Sequence, residues 1–251
     1  MYTKLVIFDM GNTLLHFHKG IFSDDEKDLI GLMLLRSYLE NKNQIKISIS
    51  QLKIEFLDKW YDDFYLRKEK LIELDFNKYL KDVIELNGFN DTEINYFECM
   101  EVFYSQYIED AVSGKGSLDL LKYLKREGYT IKVISNCILQ DDIYKDVFKK
   151  HNLDEFIDEY IFSYSRKIRK PNLLLFKEAI RDYRGHIKDI IMVGDSLEAD
   201  INPAQILGFK GIWLTNGKKN TTDIIPWATI DKFSEIYKLI NKNDIIKPKV
   251  S

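Results

Sequence analysis

The chain has 251 residues, of which 45% are hydrophobic and 31% are charged, an ordinary balance for a globular protein. Its 37 Lys and Arg residues against 40 Asp and Glu residues give a net charge of −3, so charge gives no reason to expect nucleic acid or an anionic membrane as a partner. Two cysteines imply no disulfide framework, and no apolar run in the sequence reaches the ~20 residues of a bilayer span. The first apolar run is too short for a signal peptide, so we expect a cytoplasmic protein.

The first predicted element is the strand Leu5–Phe8, which stops at Asp9 and is followed by a turn of small and polar residues. In an open parallel sheet, ligands bind just beyond the carboxyl ends of the strands. An aspartate at this place can act as a nucleophile or hold a cation. The alternative is an aspartate that only caps the turn after the strand.

From about residue 16 to residue 111 the pattern changes to that of amphipathic helices. Four are predicted: Asp25–Asn41, Ser50–Lys70, Phe76–Leu86 and Thr92–Ile108. The near-helical spacing in the first of them comes from Leu29, Leu32, Met33, Arg36 and Leu39, with Arg36 as the polar exception. An aromatic run in the second indicates either helix core, the interpretation we favour, or the lining of a substrate pocket: Trp60, Tyr61, Phe64 and Tyr65. We expect this segment to be an inserted helical bundle.

After residue 112, short apolar strands alternate with helices. The predicted strands are Ile131–Ile134, Tyr160–Phe162, Ile190–Val193 and Gly211–Leu214. The predicted helices are Ser117–Glu127, Asp141–Lys149, Leu173–Tyr183, Ile201–Leu207 and Phe233–Ile240, before a lysine-rich tail that we expect to be frayed. Continuously apolar strands joined by helices are typical of a doubly wound parallel α/β sheet covered on both faces.

Three later segments bring polar groups to the ends of these predicted elements. The second strand stops at Ser135 and Asn136, and Lys170 stands at the entrance of a helix. The strand that follows runs into Gly194-Asp195-Ser196, with Asp200 shortly beyond. Together with Asp9 they form, in chain order, a nucleophilic carboxylate, a hydroxyl donor, a cation and a pair of carboxylates suited to a metal. Parallel strands would gather all of them at one edge of the sheet.

These motifs resemble those of the haloacid dehalogenase-like (HAD) hydrolase superfamily. Asp9 to Leu14 is similar to its first motif, Ser135 to its second, Lys170 to its third, and Gly194-Asp195-Ser196 with Asp200 to its fourth. The resemblance covers the first fifteen residues or so and the stretch from about residue 112 to residue 216. It implies a Rossmann-like core made of residues 1–15 and 112–251, with residues 16–111 inserted as a helical cap over the active site.

The resemblance also implies a Mg²⁺-dependent phosphatase that acts on a small phosphorylated metabolite. Asp9 would attack phosphorus and form an aspartyl-phosphate, which divides one difficult step into two. The implied protein ligands of the metal are Asp9, the backbone carbonyl of Gly11, and Asp195, with Asp200 beside them. These are oxygen donors, which Mg²⁺ prefers.

The remaining implied roles concern the phosphoryl group. Lys170 would neutralise both the nucleophile and the transferring group. Ser135, with neighbouring backbone N–H groups, would hold the phosphoryl oxygens, and Asn12 and Asn136 are the other phosphate-binding residues that we expect. The identity of the substrate and the oligomeric state are not predicted by these motifs.

One position departs from the pattern of HAD-like phosphatases, which usually carry a second aspartate two residues after the nucleophile as general acid and base. Here that residue is Gly11, and two histidines, His16 and His18, lie shortly downstream. The interpretation we favour is that they are ordinary surface or interface residues, and the alternative is that His16 contributes to acid–base catalysis. Two other functions remain open because of Gly11. One is a 2-haloacid dehalogenase, whose relatives also lack this aspartate but need no metal; the other is a regulatory protein that binds phosphate without turnover.

Overall fold

The computed structural model describes residues 4–90 and 94–245, and its centre is a sheet of parallel strands. The strands are β1 (Lys4–Phe8), β2 (Leu15–His16), β3 (Val112–Ser113), β4 (Tyr129–Ser135), β5 (Glu159–Phe162), β6 (Ile191–Gly194), β7 (Lys210–Leu214) and β8 (Ala228–Ile230). Six of them form the parallel sheet in the order β5-β4-β1-β6-β7-β8, while β2 and β3 pair antiparallel. The predicted doubly wound α/β fold is confirmed, with β8 as a strand that the sequence did not predict.

The central strand β1 buries both of its faces. Leu5 and Ile7 pack into one hydrophobic cluster, and Val6 and Phe8 pack into another on the opposite side. This explains why the strand is continuously apolar rather than alternating. Its register pairs Phe8 with Val133 of β4 on one side and with Val193 of β6 on the other, so the chain leaves all three strands at the same edge.

Helices cover both faces of the sheet and fill the segment between β2 and β3. They are α1 (Asp24–Asn43), α2 (Ile49–Gln51), α3 (Lys59–Asp62), α4 (Phe64–Lys70), α5 (Phe76–Leu86), α6 (Tyr96–Glu109), α7 (Ser117–Arg126), α8 (Asp141–Lys150), α9 (Ser163–Arg166), α10 (Leu173–Ala179), α11 (Asn202–Ile206) and α12 (Ile236–Ile245). Two segments, Leu52–Asp58 and Leu197–Ile201, are π-helical. In the part of the chain that the structure describes, none of these helices is both long enough and apolar enough to cross a bilayer.

The helices between β2 and β3 follow the predicted positions, with two differences. The single helix predicted over Ser50–Lys70 is divided among α2, a π-helical segment, α3 and α4. The start of the helix predicted from Thr92 lies outside the described residues, and the observed helix α6 begins at Tyr96. The lysine-rich tail was predicted to begin after Ile240, but the final helix α12 continues to Ile245, and the rest of the tail lies outside the described residues.

The buried face of α1 differs from the predicted one. Leu32 and Leu39 are buried as expected, whereas Leu29 and Met33 are half exposed. The buried face instead runs through Gly31 and Leu35, because a glycine lets α1 approach the backbone of α6 closely. A Cβ atom at Gly31 would overlap the carbonyl oxygen of Phe103. Apolar spacing alone does not show that a glycine is the contact position.

The predicted aromatic run has two environments. Trp60 is 2% exposed and packs against Phe76 in the interior of the helical segment, as the favoured interpretation expects. Tyr61 and Phe64 are partly exposed and line a cavity, which is the alternative interpretation. The Tyr65 side chain lies outside the described part of the structure. Trp60 also lines this cavity, so both interpretations apply to it, whereas the pocket interpretation applies to Tyr61 and Phe64.

Within the described residues, backbone pairing joins the helical segment to the rest of the molecule at two places, in addition to side-chain contacts. The first is the β2–β3 pair, where the chain leaves the sheet and returns to it. The second is an antiparallel bridge between Ile72 and Ile168, flanked by backbone hydrogen bonds from Glu73 to Lys167 at 3.1 Å and from Arg169 to Leu71 at 2.9 Å. This second contact lies immediately before Lys170 in the sequence.

Candidate active site

Lys170 is the centre of a buried cluster of charges at the edge of the sheet. Its Nζ lies 2.5 Å from Oδ1 of Asp9 and 2.7 Å from Oδ1 of Asp200, and it donates to the carbonyl of Ile134 at 3.0 Å. The three charged side chains are almost completely buried. Three acceptors satisfy the three donors of an ammonium group, so the lysine is held in one position.

Burial dominates the protonation equilibrium of Asp9. It raises the pKa of this carboxyl to about 7, against the attraction of Lys170 and with help from the negative charges of Asp200 and Asp195. Burial also raises the pKa of Asp200, again against Lys170. Burial alone would lower the pKa of Lys170, but Asp200 and Asp9 outweigh it and the net direction is upward. The cluster thus holds more negative charge than its own lysine compensates.

A third carboxylate completes an oxygen-rich site. Asp9, Asp195 and Asp200 each bring a carboxylate oxygen within 4.8 Å of the others. Asp195 also accepts an ion pair from Lys218 at 3.0 Å, and its backbone carbonyl accepts a hydrogen bond from the Trp213 indole at 2.9 Å. Oxygen donors in this number are the ligands that Mg²⁺ prefers, so the residues present fit that ion.

Glycine is required next to this site by close packing. The carboxyl group of Asp200 lies directly over Gly194, where a Cβ atom would overlap it. The backbone N–H of Ser196 donates at 3.1 Å to Oδ2 of Asp200, the oxygen that Lys170 does not hold. The Ser196 hydroxyl accepts from the N–H of Ala199. The Gly-Asp-Ser sequence thereby turns the chain sharply after β6 and aims Asp200 back at Lys170.

The expected phosphate-binding residues occupy different positions. Ser135, at the end of β4, and Asn136 both line a cavity that also includes Gly11, two residues after Asp9. The Asn136 amide is already bonded to Lys170, accepting from its backbone N–H at 2.8 Å and donating to its carbonyl at 3.3 Å. Asn12 is exposed with φ of 55° and does not line the cavity. Its role in phosphate binding and that of Asn136 stay predictions.

The loop after the nucleophile contains a contact that the sequence reasoning missed. Thr13 is fully buried and its hydroxyl donates to Oδ2 of Asp9 at 3.0 Å, while Lys170 holds the other oxygen. The signal was present in the motif, since Thr13 lies four residues after Asp9 in the same turn. Gly11 also lines the cavity, and no heavy atom lies within 4 Å of where its Cβ would be.

The two histidines near the first motif have different charged neighbours. His16 lies half-buried on β2, where burial first and then Lys19 lower its pKa, with Asp195 acting in the opposite direction. His18 forms an ion pair with Asp24 at 2.9 Å and is exposed. The proposed acid–base role of His16 remains a prediction.

A cavity of about 390 Å³ lies between the edge of the sheet and the helical segment. The sheet side contributes Gly11, Ser135 and Asn136, close to Asp9, and the lining from the helical segment is mainly aromatic with one arginine: Trp60, Tyr61, Phe64, Arg67, Tyr104 and Tyr107. Such a largely apolar chamber with a few polar groups is typical of small-molecule sites.

One acidic group in this cavity was not predicted. The carboxylate of Asp28 on α1 is 7% exposed and accepts hydrogen bonds from the hydroxyls of Tyr61 at 2.5 Å and Tyr107 at 3.0 Å. Burial raises the pKa of Asp28, against these two hydrogen bonds. Its partners lie 33 and 79 residues away in the chain, so no local pattern could have indicated them.

Comparison with known proteins agrees with this geometry. A family profile described as haloacid dehalogenase-like hydrolase matches residues 3–208. The glyceraldehyde 3-phosphate phosphatase of Pyrococcus furiosus is 32% identical over 111 residues, an alignment that spans 43% of this chain and only 45% of that protein. This chain therefore covers less than half the length of that relative.

Two solved structures share the fold over almost their whole length. The 2-haloacid dehalogenase of Pseudomonas syringae has a TM-score of 0.70 at 20% identity, covering 96% of this chain and 99% of the other. The magnesium-bound HAD-hydrolase YfnB of Bacillus subtilis has a TM-score of 0.59 at 20% identity, covering 96% and 100%. With the profile match spanning most of the sequence and the motif residues meeting at the edge of a parallel sheet, the chain belongs to the haloacid dehalogenase-like hydrolase family.

Proposed function

We propose that the protein is a Mg²⁺-dependent phosphatase that hydrolyses a small phosphorylated metabolite. The observation that carries this proposal is the buried cluster in which Lys170 bridges Asp9 and Asp200, with Asp195 close by. A dehalogenase would need a nucleophile and a cation. Here three carboxylates converge and have two lysines, Lys170 and Lys218, as ion-pair partners, so a bound divalent cation would compensate the remaining negative charge. The named phosphatase among the relatives supports the same reaction class.

Asp9 is the nucleophile in this proposal. The hydroxyl of Thr13 and the ammonium of Lys170 hold its two oxygens, which fixes the carboxylate for an in-line attack on phosphorus. In the attack the P–O bond to the leaving group breaks and an aspartyl-phosphate forms, while the alkoxide leaves and takes a proton from water. Water then hydrolyses the intermediate and regenerates Asp9. Lys170 reduces the charge repulsion between Asp9 and the phosphoryl group, and Ser135 holds one phosphoryl oxygen.

The metal would be held by Asp9, Asp195 and Asp200, with the backbone carbonyl of Gly11 as a further oxygen ligand. When bound, Mg²⁺ supplies charge that offsets the carboxylates and the phosphate and orients the two reacting groups. Asn136 has a positioning role in this scheme, since its amide fixes the backbone of Lys170 from both sides.

Gly11 limits the alcohols that such an enzyme releases efficiently. A glycine cannot protonate a leaving group, and general acid–base catalysis is typically worth ~10²- to 10⁴-fold. We therefore expect this enzyme to prefer esters of acidic alcohols or acyl phosphates. We propose residues 16–111 as a cap that closes over the site, excludes water and contacts the leaving group through the aromatic cavity wall.

The direct test is hydrolysis of p-nitrophenyl phosphate by the wild type and by Asp9→Asn, each with Mg²⁺ and with EDTA. This leaving group needs little protonation, so Gly11 should not prevent turnover. We expect release of nitrophenol that is lost with EDTA and in the Asp9→Asn variant. Turnover that survives in Asp9→Asn would overturn the assignment of the nucleophile.

A second candidate function is favoured by the same glycine. A 2-haloacid dehalogenase needs no acid two residues after its nucleophile, and one such enzyme shares this fold. Halide release from a 2-haloacid, unaffected by EDTA, would establish this activity instead. A protein that binds Mg²⁺ but shows neither reaction would be the non-catalytic alternative.

A further inference from the structure

Two arginines that line the cavity, Arg67 and Arg169, share the buried carboxylate of Glu73, outside the nucleophile and metal site. Arg67 comes from α4, Glu73 from the loop after it, and Arg169 from the loop before Lys170. Oε1 of Glu73 accepts from Arg169 at 2.5 Å and from the hydroxyl of Ser163, also at 2.5 Å. Its other oxygen lies 3.7 Å from Nη1 of Arg67, an ion pair without a hydrogen bond.

Arg67 is buried with donors that have no hydrogen-bond partner among the described residues. Its side chain is 3% exposed, and neither Nε nor Nη1 donates a hydrogen bond. The guanidinium carbon lies 3.9 Å from the ring centre of Trp60 and 4.8 Å from that of Phe64, so aromatic rings cover the group while it lines the cavity. Buried donors without acceptors are rare and costly in native proteins.

The cluster also has an excess of positive charge. Two guanidinium groups share the single carboxylate of Glu73, and burial followed by repulsion from Arg169 lowers the pKa of Arg67 to about 10. The other charged groups of the cavity have partners of their own. Asp28 accepts from two tyrosines, and Asp24 pairs with His18. An additional anion at Arg67 would therefore be favourable.

We propose that Arg67 and Arg169 form a subsite for a second anionic group, carried by the part of the substrate that leaves. The inference rests on the proposed function, since the first phosphoryl group is taken to lie at Asp9. The substrate class is then a phosphate monoester with a carboxylate or a second phosphate at its far end. Guanidinium groups suit both anions because they donate planar, charge-assisted hydrogen bonds.

The test uses three esters with the same three-carbon chain and different ends. Propyl phosphate ends in a methyl group, the phosphate ester of β-hydroxypropionate ends in a carboxylate, and the bisphosphate of trimethylene glycol ends in phosphate. We expect kcat/KM of the wild type to be about 10- to 100-fold higher for one or both charged esters than for propyl phosphate, the gain from charge-assisted hydrogen bonds. The charged ester with the higher value identifies the anion.

The variant that tests the residues is Arg67→Met, which removes the charge and leaves Glu73 paired with Arg169. We expect the ratio of kcat/KM values, charged ester over propyl phosphate, to fall to about one. Arg169→Met is the second variant, because it leaves Arg67 for Glu73 and should also lower the ratio. Arg36→Met is the matched control: Arg36 lies on the surface of α1, pairs with Glu40 and does not line the cavity, so the ratio should stay at the wild-type value.

A wild-type ratio near one, or an unchanged ratio in Arg67→Met, would overturn the subsite and leave the phosphatase proposal intact. A wild type that hydrolyses neither these esters nor p-nitrophenyl phosphate would instead count against the proposed function, whereas turnover of p-nitrophenyl phosphate alone would agree with the limit that Gly11 sets on leaving groups. In both cases binding decides the subsite: the dissociation constant of trimethylene glycol bisphosphate, measured in Asp9→Asn by calorimetry, should rise about 10-fold when Arg67→Met is added. No change in that constant would overturn the subsite.

Discussion

At the scale of the residue, we expect Asp9 to couple the proposed metal binding to proton release. Burial raises the pKa of this carboxyl to about 7, so we expect it to be protonated below that pH in the metal-free protein and to lose its proton when Mg²⁺ binds. We expect the Mg²⁺ dissociation constant to decrease about 10-fold per pH unit as the pH rises from about 5 towards 7 and then to level off.

Calorimetric titration of Mg²⁺ in two buffers with different ionisation enthalpies measures both the affinity and the proton count. About one proton should be released per ion below pH ~7, and almost none well above it. An affinity that does not change across this range would show that Asp9 is ionised before the metal binds.

Gly11 offers a test by gain of function. No heavy atom lies within 4 Å of its Cβ position and its φ is not in the left-handed region, so the backbone and the space around Cβ accept Gly11→Asp. A carboxylic acid facing the cavity can protonate the leaving group. We expect hydrolysis of propyl phosphate, relative to p-nitrophenyl phosphate, to rise at least ~10-fold, a conservative share of what general acid catalysis supplies.

The control for this gain is Gly11→Asn, which has nearly the same shape and cannot transfer the proton. If Gly11→Asn raises the relative rate as much as Gly11→Asp does, the effect comes from geometry and not from acid catalysis. Parallel measurements with His16→Ala test whether His16 supplies part of the general acid–base catalysis that Gly11 cannot provide.

The sequence predicted the site residues that stand next to a strand or helix recognisable from its own pattern. Asp9, Lys170, Asp195 and Asp200 each follow or precede a recognisable element, and the topology of a parallel sheet brings them together. Glu73 gave no such signal, because its partners Ser163 and Arg169 lie 90 and 96 residues away. Contacts between the helical segment and the sheet depend on how one packs on the other, which no local pattern contains.

At the scale of the element, the contact between α1 and α6 depends on Gly31. A methyl group there would overlap the Phe103 carbonyl, and the two helices would have to separate. We expect Gly31→Ala to lower the free energy of unfolding by about 2 kcal/mol, since overpacking outweighs the better helix propensity of alanine. Urea denaturation measures this change.

Ser37→Ala is the control on the same helix, because Ser37 is exposed and its substitution should change stability by less than about 0.5 kcal/mol. Equal effects of the two substitutions would show that α1 tolerates a methyl group at the contact. The sequence predicted the helix α1 correctly. However, the assumption that apolar side chains mark its buried face was wrong for Leu29 and Met33, which are half exposed.

At the scale of the whole molecule, the bridge between Ile72 and Ile168 joins the helical segment to the loop of Lys170. We propose that the substrate reaches the cavity by separation of this contact. Antiparallel partners are close enough for a disulfide, and both native cysteines are buried. We expect oxidation of the double variant Ile72→Cys, Ile168→Cys to reduce kcat at least ~10-fold, with recovery on reduction.

The two single-cysteine variants, treated in the same way, separate the effect of the crosslink from that of the substitutions. Full turnover in the oxidised double variant would show that the bridge stays closed during catalysis. The same experiment tests whether residues 16–111 act as a cap, a division that the change of sequence pattern predicts and that the positions of β2 and β3 support.

Local sequence patterns predicted most, but not all, strands of the parallel sheet. Five parallel strands were predicted from short apolar runs, whereas β8 was missed, because only three residues with a threonine at the centre form it. It lies at the end of the sheet and pairs with β7 alone among the described strands. Edge strands of this kind are determined more by their neighbours than by their own composition.

The hydrogen bond from Trp213 to the carbonyl of Asp195 has an optical consequence. The chain has three tryptophans, and each lies in a different part of the molecule: Trp213 at the carboxylate site, Trp60 beside Arg67, and Trp227 over Lys210 beyond β7. Indole fluorescence responds to nearby charge and hydrogen bonding. A protein in which Trp60 and Trp227 are replaced by phenylalanine would retain Trp213 as its single tryptophan. With excitation selective for tryptophan over the 15 tyrosines, we expect its emission to report ion binding at Asp195 without any added dye.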